Sequence, residues 1–397
     1  MRYFLAPHAA LKWLETPCVY DIVNDELYEL DERAFEFLRR CAAETGAPAQ
    51  EGSDEAIGYL LSEGLVTADP VRVRRPLVMR SPVPSLRYLE LQITDRCNLR
   101  CRHCYLGATE GHDLSMDQLK GVLRQFEELQ GLRLMITGGE PLMHMQFWEF
   151  AEALPAYQFR KVLLTNGLLL RKDMLRSLHV DEIQFSVDGM KKGHDALRGA
   201  GTYERVMQKI RDAMLEGCTV SVATMIHSEN LGEFDEMQRT FMDLGVKEWT
   251  VDVPTATGTL AFHPLLQVPP DLAGDRLRYG FGGGVHGGGE GYACGLHLAA
   301  VLSDGAVAKC GFYAHAASGR IRDGLRDVWA RISPVDLKDL ACAAVSCSFL
   351  DVCRGGCRYR AGIAAGEGIG PEISRSRDFC KCYEYGIMGF TGHEAGE

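Results

Sequence analysis

The chain has 397 residues, which is enough for two or three domains. Hydrophobic residues make up 46% and charged residues 24% of it, a composition typical of a globular protein with a buried core. No apolar run approaches the length of a membrane span, and the N-terminus lacks the segments of a signal peptide. We therefore expect a cytoplasmic protein that has no membrane partner.

The cysteine content and the charge distribution restrict the function further. Fourteen cysteines without an export signal favour metal ligation in a reducing compartment over a disulfide framework. Residues 1–70 contain five lysines and arginines but fourteen aspartates and glutamates, within a net charge of −11 for the whole chain. An acidic first domain binds nucleic acid poorly, so we expect no nucleic-acid partner. It suits a basic peptide, although a solvated acidic surface is the commoner explanation for such a bias.

Residues 1–75 are predicted to form a small α/β domain. Apolar and polar residues alternate around Asn24 and Asp25, which predicts a β-hairpin. Asp31 is placed to cap an amphipathic helix, and a second helix is predicted from about Asp54 to Ser62. Residues 76–87, which are rich in proline and arginine, are predicted to form a linker.

Residues 88–255 alternate between strand and helix patterns, which predicts a parallel sheet. A helix is predicted over Ser115–Leu129, where Ser115 and Gln118 fit a capping box. The sheet is expected to be either an open doubly wound sheet or a partial barrel, and both place functional loops at the C-terminal strand ends. The six candidate strands are Leu89–Thr94, Arg133–Thr137, Lys161–Thr165, Glu182–Val187, Thr219–Met225 and Glu248–Val253.

The remaining residues divide by composition. Residues 256–293 are predicted to bridge two domains and include the glycine-rich segment Gly280–Gly291. Residues 294–385 are rich in cysteine and poor in regular patterns, which predicts a domain held together by metal bonds rather than by an apolar core. Residues 386–397 form a tail.

Three cysteines follow the first strand of this alternation. Cys97, Cys101 and Cys104 have the spacing C-x₃-C-x₂-C. A tetrahedral zinc ion and a four-cysteine electron-transfer cluster both need a fourth ligand. Three thiolates around an iron–sulfur cube leave one iron open to a small molecule. The alternatives are buried inert thiols or an incomplete zinc site.

This spacing, its place after an apolar strand and the aromatic Tyr105 that follows resemble the radical S-adenosylmethionine (SAM) enzymes. The resemblance implies a partial (β/α)6 barrel and a [4Fe-4S] cluster held by the three cysteines. Its open iron would bind SAM, and an electron from the cluster would cleave SAM to a 5′-deoxyadenosyl radical. Tyr105 would lie beside the adenine, although a lone aromatic residue also suits a core.

A second motif, TGGEP (Thr137–Pro141), follows the second strand. Glycines let the backbone approach a ligand closely because no Cβ intervenes. Gly138, Gly139 and Glu140 match the GGE motif of the same family, which by resemblance receives the methionyl amino group of SAM. A Gly-Gly turn after a strand is also common in other proteins.

Polar residues follow the next strand ends as well. By resemblance, Ser186 and Arg198 hold the methionyl carboxylate of SAM, and the guanidinium of an arginine suits a carboxylate. Asp188 suits a ribose or another polar group. Asn166 fits the same pattern less specifically, since it also suits a turn or a cap. The alternative for Arg198 is a surface ion pair.

The C-terminal cysteines form a second constellation. Cys294, Gly305 and Cys310 have the spacing C-x₁₀-G-x₄-C, and C-x₅-C-x₃-C follows. The pattern resembles the SPASM extension of radical SAM enzymes, which implies one or two auxiliary iron–sulfur clusters; two zinc sites are the alternative. Four residues separate Cys342 from Cys347, where the family has two. The implied ligands are Cys294, Cys310 and Cys357 for the first cluster, and Cys342, Cys347, Cys353 and either Cys380 or Cys382 for the second.

The first domain resembles the winged-helix-like peptide-recognition domains of enzymes that modify ribosomally made peptides. In that family the leader of the precursor peptide adds as a strand to the sheet edge. The combined resemblance implies a radical SAM/SPASM maturase that forms a thioether or C–C cross-link in a precursor peptide. Its expected partners are this peptide and an external one-electron reductant such as flavodoxin or ferredoxin.

Three alternatives remain at this point. A sulfatase maturase, which forms formylglycine, has an aspartate after the cysteine corresponding to Cys310, whereas this chain has Gly311. A tetrapyrrole-type enzyme of the same superfamily would act on a small molecule and need no peptide-recognition domain. A non-enzymatic iron–sulfur or zinc scaffold would have no use for the GGE motif.

Overall fold

The computed structural model describes residues 1–282, 291–367 and 373–386, and the structural statements below refer to these residues. Most of the glycine-rich segment Gly280–Gly291 and nearly all of the predicted tail lie outside the described residues. No described helix is long and apolar enough to cross a lipid bilayer.

Two small sheets and two helices form the N-terminal part. The predicted hairpin and both predicted helices are confirmed, with Asp25 at positive φ (63°) in the turn and Asp31 accepting a 2.7 Å hydrogen bond from the Ala34 amide. The sheet orders are β2-β3-β4 and β5-β1-β6. The elements are β1 (Arg2–Leu5), β2 (Ala9–Trp13), β3 (Pro17–Asp21), β4 (Glu26–Glu29), α1 (Glu32–Cys41), β5 (Ala47–Pro48), α2 (Asp54–Ser62) and β6 (Val66–Thr67).

Six parallel strands follow in sequential order, β7 to β12. All six begin and end within about two residues of the predicted bounds. A doubly wound sheet reverses its strand order at a switch point, and this sheet does not, so the partial barrel is the correct alternative. The strands are β7 (Tyr88–Thr94), β8 (Arg133–Gly138), β9 (Arg160–Thr165), β10 (Glu182–Ser186), β11 (Val220–Met225) and β12 (Glu248–Asp252).

Helices cover the outer face of this sheet. Side chains of β7 that point outward, such as Leu89 and Leu91, are fully buried in one core with helix residues such as Leu123 and Phe126. The capping box of Ser115 and Gln118 is confirmed at the start of α3. The helices are α3 (Met116–Glu128), α4 (Phe147–Ala153), α5 (Lys191–Arg198), α6 (Thr202–Leu215), α7 (Phe234–Leu244) and α8 (Pro270–Leu277).

The cysteine-rich part is joined to the barrel. Strand β13 (Leu298–Val301) pairs in parallel with β7 and extends the sheet, and β14 (Ala306–Ala308) and β15 (Gly319–Arg320) follow as antiparallel neighbours. Cysteine spacing alone does not predict these strands, whose local signal is the apolar run before Asp304. The remaining helices are short: α9 (Leu325–Trp329), α10 (Ala341–Ala344), α11 (Leu350–Cys353), α12 (Arg358–Ala364) and α13 (Phe379–Glu384).

Buried charges attach the N-terminal part to the barrel. The carboxylate of Asp25 pairs with Arg133 and lies 3.7 Å from the Arg160 guanidinium, and Arg160 also pairs with Glu182 at 2.6 Å. Arg160 donates two further bonds to the backbone of residues 22–23, at 2.7 and 2.8 Å. Because Arg133 and Arg160 begin β8 and β9, the N-terminal part lies at the end of the barrel opposite the C-terminal strand ends.

We predict that Asp25→Asn destabilises the protein strongly. Asparagine tolerates the positive φ at this position, so the substitution removes the charge and spares the turn. Two largely buried guanidinium groups then lose their shared carboxylate, and losing one partner of a buried ion pair costs about 3–5 kcal/mol. Urea denaturation measures the free energy of unfolding.

The matched control is Asp173→Asn, which breaks the exposed ion pair with Arg171. Solvent screens an exposed pair, which contributes little to stability, so this variant should unfold nearly like the wild type. If both substitutions lowered the free energy of unfolding equally, the buried ion pairs of Asp25 would not be what attaches the N-terminal part to the barrel.

Candidate functional site

The loop that carries Cys97, Cys101 and Cys104 follows β7 directly. The Cys104 amide donates to the Cys101 carbonyl at 3.2 Å, and the Leu99 amide donates to the Cys97 sulfur at 3.5 Å. Burial raises the pKa of the Cys101 thiol to about 11, while Arg198 lowers it and the negative charges of Cys97 and Cys104 raise it further. The structure therefore brings the three thiols together beside one guanidinium.

The two glycines of the GGE motif pack against this loop. A Cβ on Gly138 would lie 2.2 Å from the Thr94 carbonyl oxygen, and one on Gly139 would lie 2.4 Å from the Arg96 carbonyl oxygen. The Gly139 amide donates to the Thr94 carbonyl at 2.9 Å. The sequence predicts that these glycines let a ligand approach the backbone. In the structure, the backbone of residues 94–96 occupies the space where their Cβ atoms would lie. No side chain fits there without separating the two loops.

Glu140 and Asn166 connect the neighbouring strand ends. The fully buried Glu140 carboxylate accepts hydrogen bonds from the Thr165 hydroxyl at 2.7 Å and the Asn166 amide at 2.8 Å. Burial raises the pKa of Glu140, and these bonds oppose the rise. The Asn166 side chain donates to Asn98, inside the cysteine loop, at 2.8 Å. The ends of β8 and β9 are thus tied to the loop between the first two cysteines.

Arg198 makes a buried ion pair. Its Nε donates to the Asp188 carboxylate, and the side chains are 11% and 0% exposed, so the surface-pair interpretation of Arg198 is wrong. Asp188 also accepts from the Met225 amide at 2.7 Å and lies 3.8 Å from His103. Burial raises the pKa of Asp188, but Arg198 and His103 outweigh it and hold that pKa below its usual range.

Ser186 is the last residue of β10, two residues before Asp188. Although the resemblance pairs Ser186 with Arg198, no hydrogen bond between them occurs in the described chain. The carboxylate of Asp188 is the group that orients the guanidinium. This is a positioning role that the motif SVDG alone did not reveal.

Tyr105 lies on the other side of the cysteine loop, at a cavity of about 680 Å³. The Gln92 amide donates to its hydroxyl at 2.9 Å, and its ring packs 5.1 Å from the ring of Phe312. The cavity lies between the cysteine loop, the segment after β12 and the turn after Cys310. Its lining includes Tyr105, Thr257, Phe262, Phe312, His315 and Tyr359.

Glu90 is a functional candidate that the sequence analysis missed. It lies on β7, and its carboxylate accepts a 2.7 Å hydrogen bond from the amide of Gly311, next to Cys310. Burial raises its pKa. The sequence of β7 does indicate this residue. Glu90 and Gln92 are polar residues at alternate positions of an otherwise apolar strand, as expected for side chains on the inner face of a barrel.

The C-terminal cysteines fall into two groups. Cys310 and Cys357 pack against one apolar cluster, and burial raises the pKa of the Cys310 thiol, which Glu90, Cys294 and Cys357 raise further. Four others line one small void: Cys342, Cys347, Cys353 and Cys382. Cys380, one residue before Lys381, instead packs into the apolar core of the barrel. Of the two alternatives left open by the sequence, Cys382 is the one that joins the second group.

Each cysteine is a free thiol. In the part of the chain that the structure describes, no three histidine, cysteine, aspartate or glutamate side chains are arranged to hold a single metal ion. An iron–sulfur cube binds each thiolate to a different iron, so its ligands lie further apart than the ligands of one ion.

Residues 91–241 match the model of the radical SAM superfamily. The chain carries a radical SAM domain. It is therefore an enzyme, and the domain implies a [4Fe-4S] cluster and SAM. The thiols of Cys97, Cys101 and Cys104 fit such a cluster as a donor set, because they are free, adjacent and next to the buried cation Arg198.

Three proteins resemble the chain beyond this domain. The mycofactocin maturase MftC of Mycolicibacterium smegmatis is 27% identical over 302 residues, which cover 68% of this chain and 77% of that protein. The AdoMet-dependent heme synthase of Oleidesulfovibrio alaskensis is 28% identical over 194 residues, covering 47% of this chain and 50% of that protein. The structure of Streptococcus suis SuiB bound to its precursor peptide SuiA has the same fold, with a TM-score of 0.66 at 14% identity over 95% of this chain and 99% of SuiB.

We predict that Asp188→Asn weakens SAM binding to the radical SAM domain by about tenfold or more. The substitution keeps the side-chain size but removes the charge that orients Arg198 in a site shielded from water. Removing one partner of a buried charge pair costs several kcal/mol, and about 1.4 kcal/mol already corresponds to tenfold. Anaerobic calorimetry with SAM measures the affinity.

The control is Asp212→Asn, whose carboxylate accepts an exposed hydrogen bond from Gln208 on α6. It should bind SAM like the wild type. If Asp188→Asn also binds SAM with unchanged affinity, Asp188 does not position Arg198 for this ligand.

Proposed function

We propose that the enzyme is a radical SAM maturase that modifies a ribosomally made precursor peptide. The observation that carries this proposal is a free strand edge in the N-terminal part, fixed to the barrel by buried charges. Strand β4 is the terminal strand of the β2-β3-β4 sheet, and no described strand pairs with its outer edge. An open edge is the backbone template to which an extended peptide adds.

The geometry of β4 suits an added strand. The Leu30 amide donates to the Pro17 carbonyl at 2.9 Å, so residues 17 and 30 form a hydrogen-bonded pair. Hydrogen-bonded and non-hydrogen-bonded pairs alternate in antiparallel strands. The register of β3 and β4 therefore directs the amides of Leu27 and Glu29 away from β3, toward the open edge.

Helix α2 packs beside strand β4. Tyr28 of β4 packs against Tyr59 of α2 with ring centroids 6.4 Å apart, and its hydroxyl is 3.0 Å from the Glu63 carboxylate. Tyr59 is 53% exposed. Exposed aromatic surface bordered by the carboxylates of Glu26, Glu55 and Glu63 suits a leader that combines apolar and basic residues.

The similar proteins support a peptide substrate. MftC is a maturase, and SuiB, whose fold extends over nearly the whole chain, was crystallised with its precursor peptide SuiA. The similarity to the heme synthase extends over 47% of this chain. A tetrapyrrole-type enzyme would not use the β4 edge, so the peptide is the better-supported substrate.

The catalytic residues take the roles that the family motifs imply. Cys97, Cys101 and Cys104 hold the [4Fe-4S] cluster, and Arg198, oriented by Asp188, binds the SAM carboxylate together with Ser186. When bound, the cluster supplies the electron that cleaves SAM, and flavodoxin or ferredoxin supplies electrons to the protein. The loop that faces SAM is fixed by the backbone of Gly138 and Gly139 and by Glu140. Asn166 holds the cysteine loop. Tyr105 borders both the adenine and the cavity.

The cavity beside Tyr105 receives the segment of the peptide that is modified. Its aromatic lining gives an apolar wall, and the Glu90 carboxylate lies directly behind this wall, where it accepts from the amide of Gly311. Sulfatase maturases carry an aspartate at the position of Gly311, whereas here the carboxylate comes from the barrel strand β7. We propose a thioether or C–C cross-link as the product, with Glu90 accepting the proton that the new bond displaces.

Two auxiliary clusters complete the proposal. Cys294, Cys310 and Cys357 hold the first, next to the cavity, and the four cysteines around the common void hold the second, with Cys382 and not Cys380 as a ligand. Four residues between Cys342 and Cys347 accommodate helix α10 and its turn, which return the chain to the void. The auxiliary clusters provide acceptors for the electron released when a substrate radical closes a bond.

We predict that Glu29→Pro weakens leader binding without unfolding the protein. Proline removes an amide that points to the open edge, and edge strands tolerate proline. The probe is the peptide of any short open reading frame that adjoins the gene of this protein, and its affinity, measured by fluorescence anisotropy, should fall at least about tenfold. Peptide-independent release of 5′-deoxyadenosine from SAM should stay unchanged.

Glu29→Ala is the control, because it removes the side chain and keeps the amide. It should retain most of the affinity. If Glu29→Pro binds and modifies the peptide like the wild type, the leader does not add to β4, and a small-molecule substrate becomes the better proposal.

A further inference from the structure

Lys309 is a buried lysine that contacts no hydrogen-bond acceptor among the residues that the structure describes. It is 5% exposed, and its ammonium nitrogen has no hydrogen-bond partner in the described part of the chain. Burying a charged group without a partner costs several kcal/mol, so such groups are nearly always paired. An anion is therefore expected at this place.

The surroundings of Lys309 define that anion. Lys309 lies between the end of β14 and Cys310, so its backbone adjoins one of the first auxiliary cysteines. Gly295 supports the side chain, because a Cβ on it would lie 2.6 Å from Cε of Lys309. The lysine side chain thus packs against the residue that follows Cys294, in the part of the fold that carries the first auxiliary cysteines.

Aromatic residues cover one side of this site, while Lys309 and Tyr313 also border a cavity of about 1110 Å³. Tyr313 and Tyr359 are almost fully buried in one apolar cluster, against which Cys310, Phe312 and Cys357 pack. The Tyr313 and Tyr359 rings contact edge to face with centroids 5.3 Å apart. A charge acts more strongly on its neighbours in such a medium than it does in water.

We propose that Lys309 donates a charge-assisted hydrogen bond to the first auxiliary iron–sulfur cluster and raises its reduction potential. This inference rests on the proposed ligation of that cluster by Cys294, Cys310 and Cys357. Reduction adds negative charge to the cluster, and a buried ammonium stabilises the reduced form more than the oxidised form. The lysine makes this cluster the better electron acceptor for a substrate radical in the adjoining cavity.

The test is a potentiometric titration followed by electron paramagnetic resonance on the full chain. The parent protein carries Cys97→Ala, Cys101→Ala and Cys104→Ala, so that the signal of the catalytic cluster does not overlap. Lys309→Met should shift one of the auxiliary midpoint potentials to a more negative value, and Lys309→Arg should restore it toward the parent value. Lys338→Met, which removes an exposed lysine of the same region, should leave the potentials unchanged.

The outcomes separate this inference from the proposed function. An iron content without auxiliary clusters in the parent overturns the proposed ligation and this inference with it. Auxiliary clusters whose potentials are the same with Lys309→Met overturn this inference alone. If Lys309→Met does not load iron, Lys309→Gln replaces it in the test, because glutamine keeps a neutral hydrogen-bond donor. Its auxiliary midpoint potential should then be more negative than that of Lys309→Arg, and equal potentials would overturn this inference.

Discussion

The site depends on strand β7, which pairs in parallel with β8 on one edge and with β13 on the other. This double pairing brings the cysteine loop, the GGE loop and the C-terminal part to one place. The loop after β7 carries the three thiols, and the loop after β8 packs on its backbone so closely that only glycine fits at positions 138 and 139. On the other side, β13 leads through a hairpin back to Cys310, beside Glu90 of β7.

Buried charge defines the two ends of the barrel. At the N-terminal strand ends, Asp25 with Arg133 and Arg160 attaches the small N-terminal part, and at the C-terminal ends Asp188 orients Arg198. Both networks are costly to form and more costly to break, because removal of one partner leaves the other charged in an apolar medium. The first network gives the open edge of β4 a fixed position, and the second gives the proposed SAM site a fixed cation.

The sequence predicted the elements whose signals are local. The six barrel strands are apolar runs separated by helical patterns, and the motif C-x₃-C-x₂-C lies within one loop, so both could be recognised without any tertiary contact. The role of Glu90 could not, because its partner Gly311 is 221 residues away. The choice of Cys382 over Cys380 likewise depends on which face of α13 turns to the void. The addition of β13 to the barrel depends on pairing with a strand 210 residues earlier.

The central claim is that Cys97, Cys101 and Cys104 hold a four-iron cluster with one iron open to SAM. The direct measurement is the iron and labile sulfide content, with electron paramagnetic resonance, of anaerobically reconstituted wild type and of the variant with all three cysteines changed to alanine. Three clusters predict about twelve irons per chain, falling to about eight in the variant. Bound zinc, or an iron content that the variant leaves unchanged, would contradict the account.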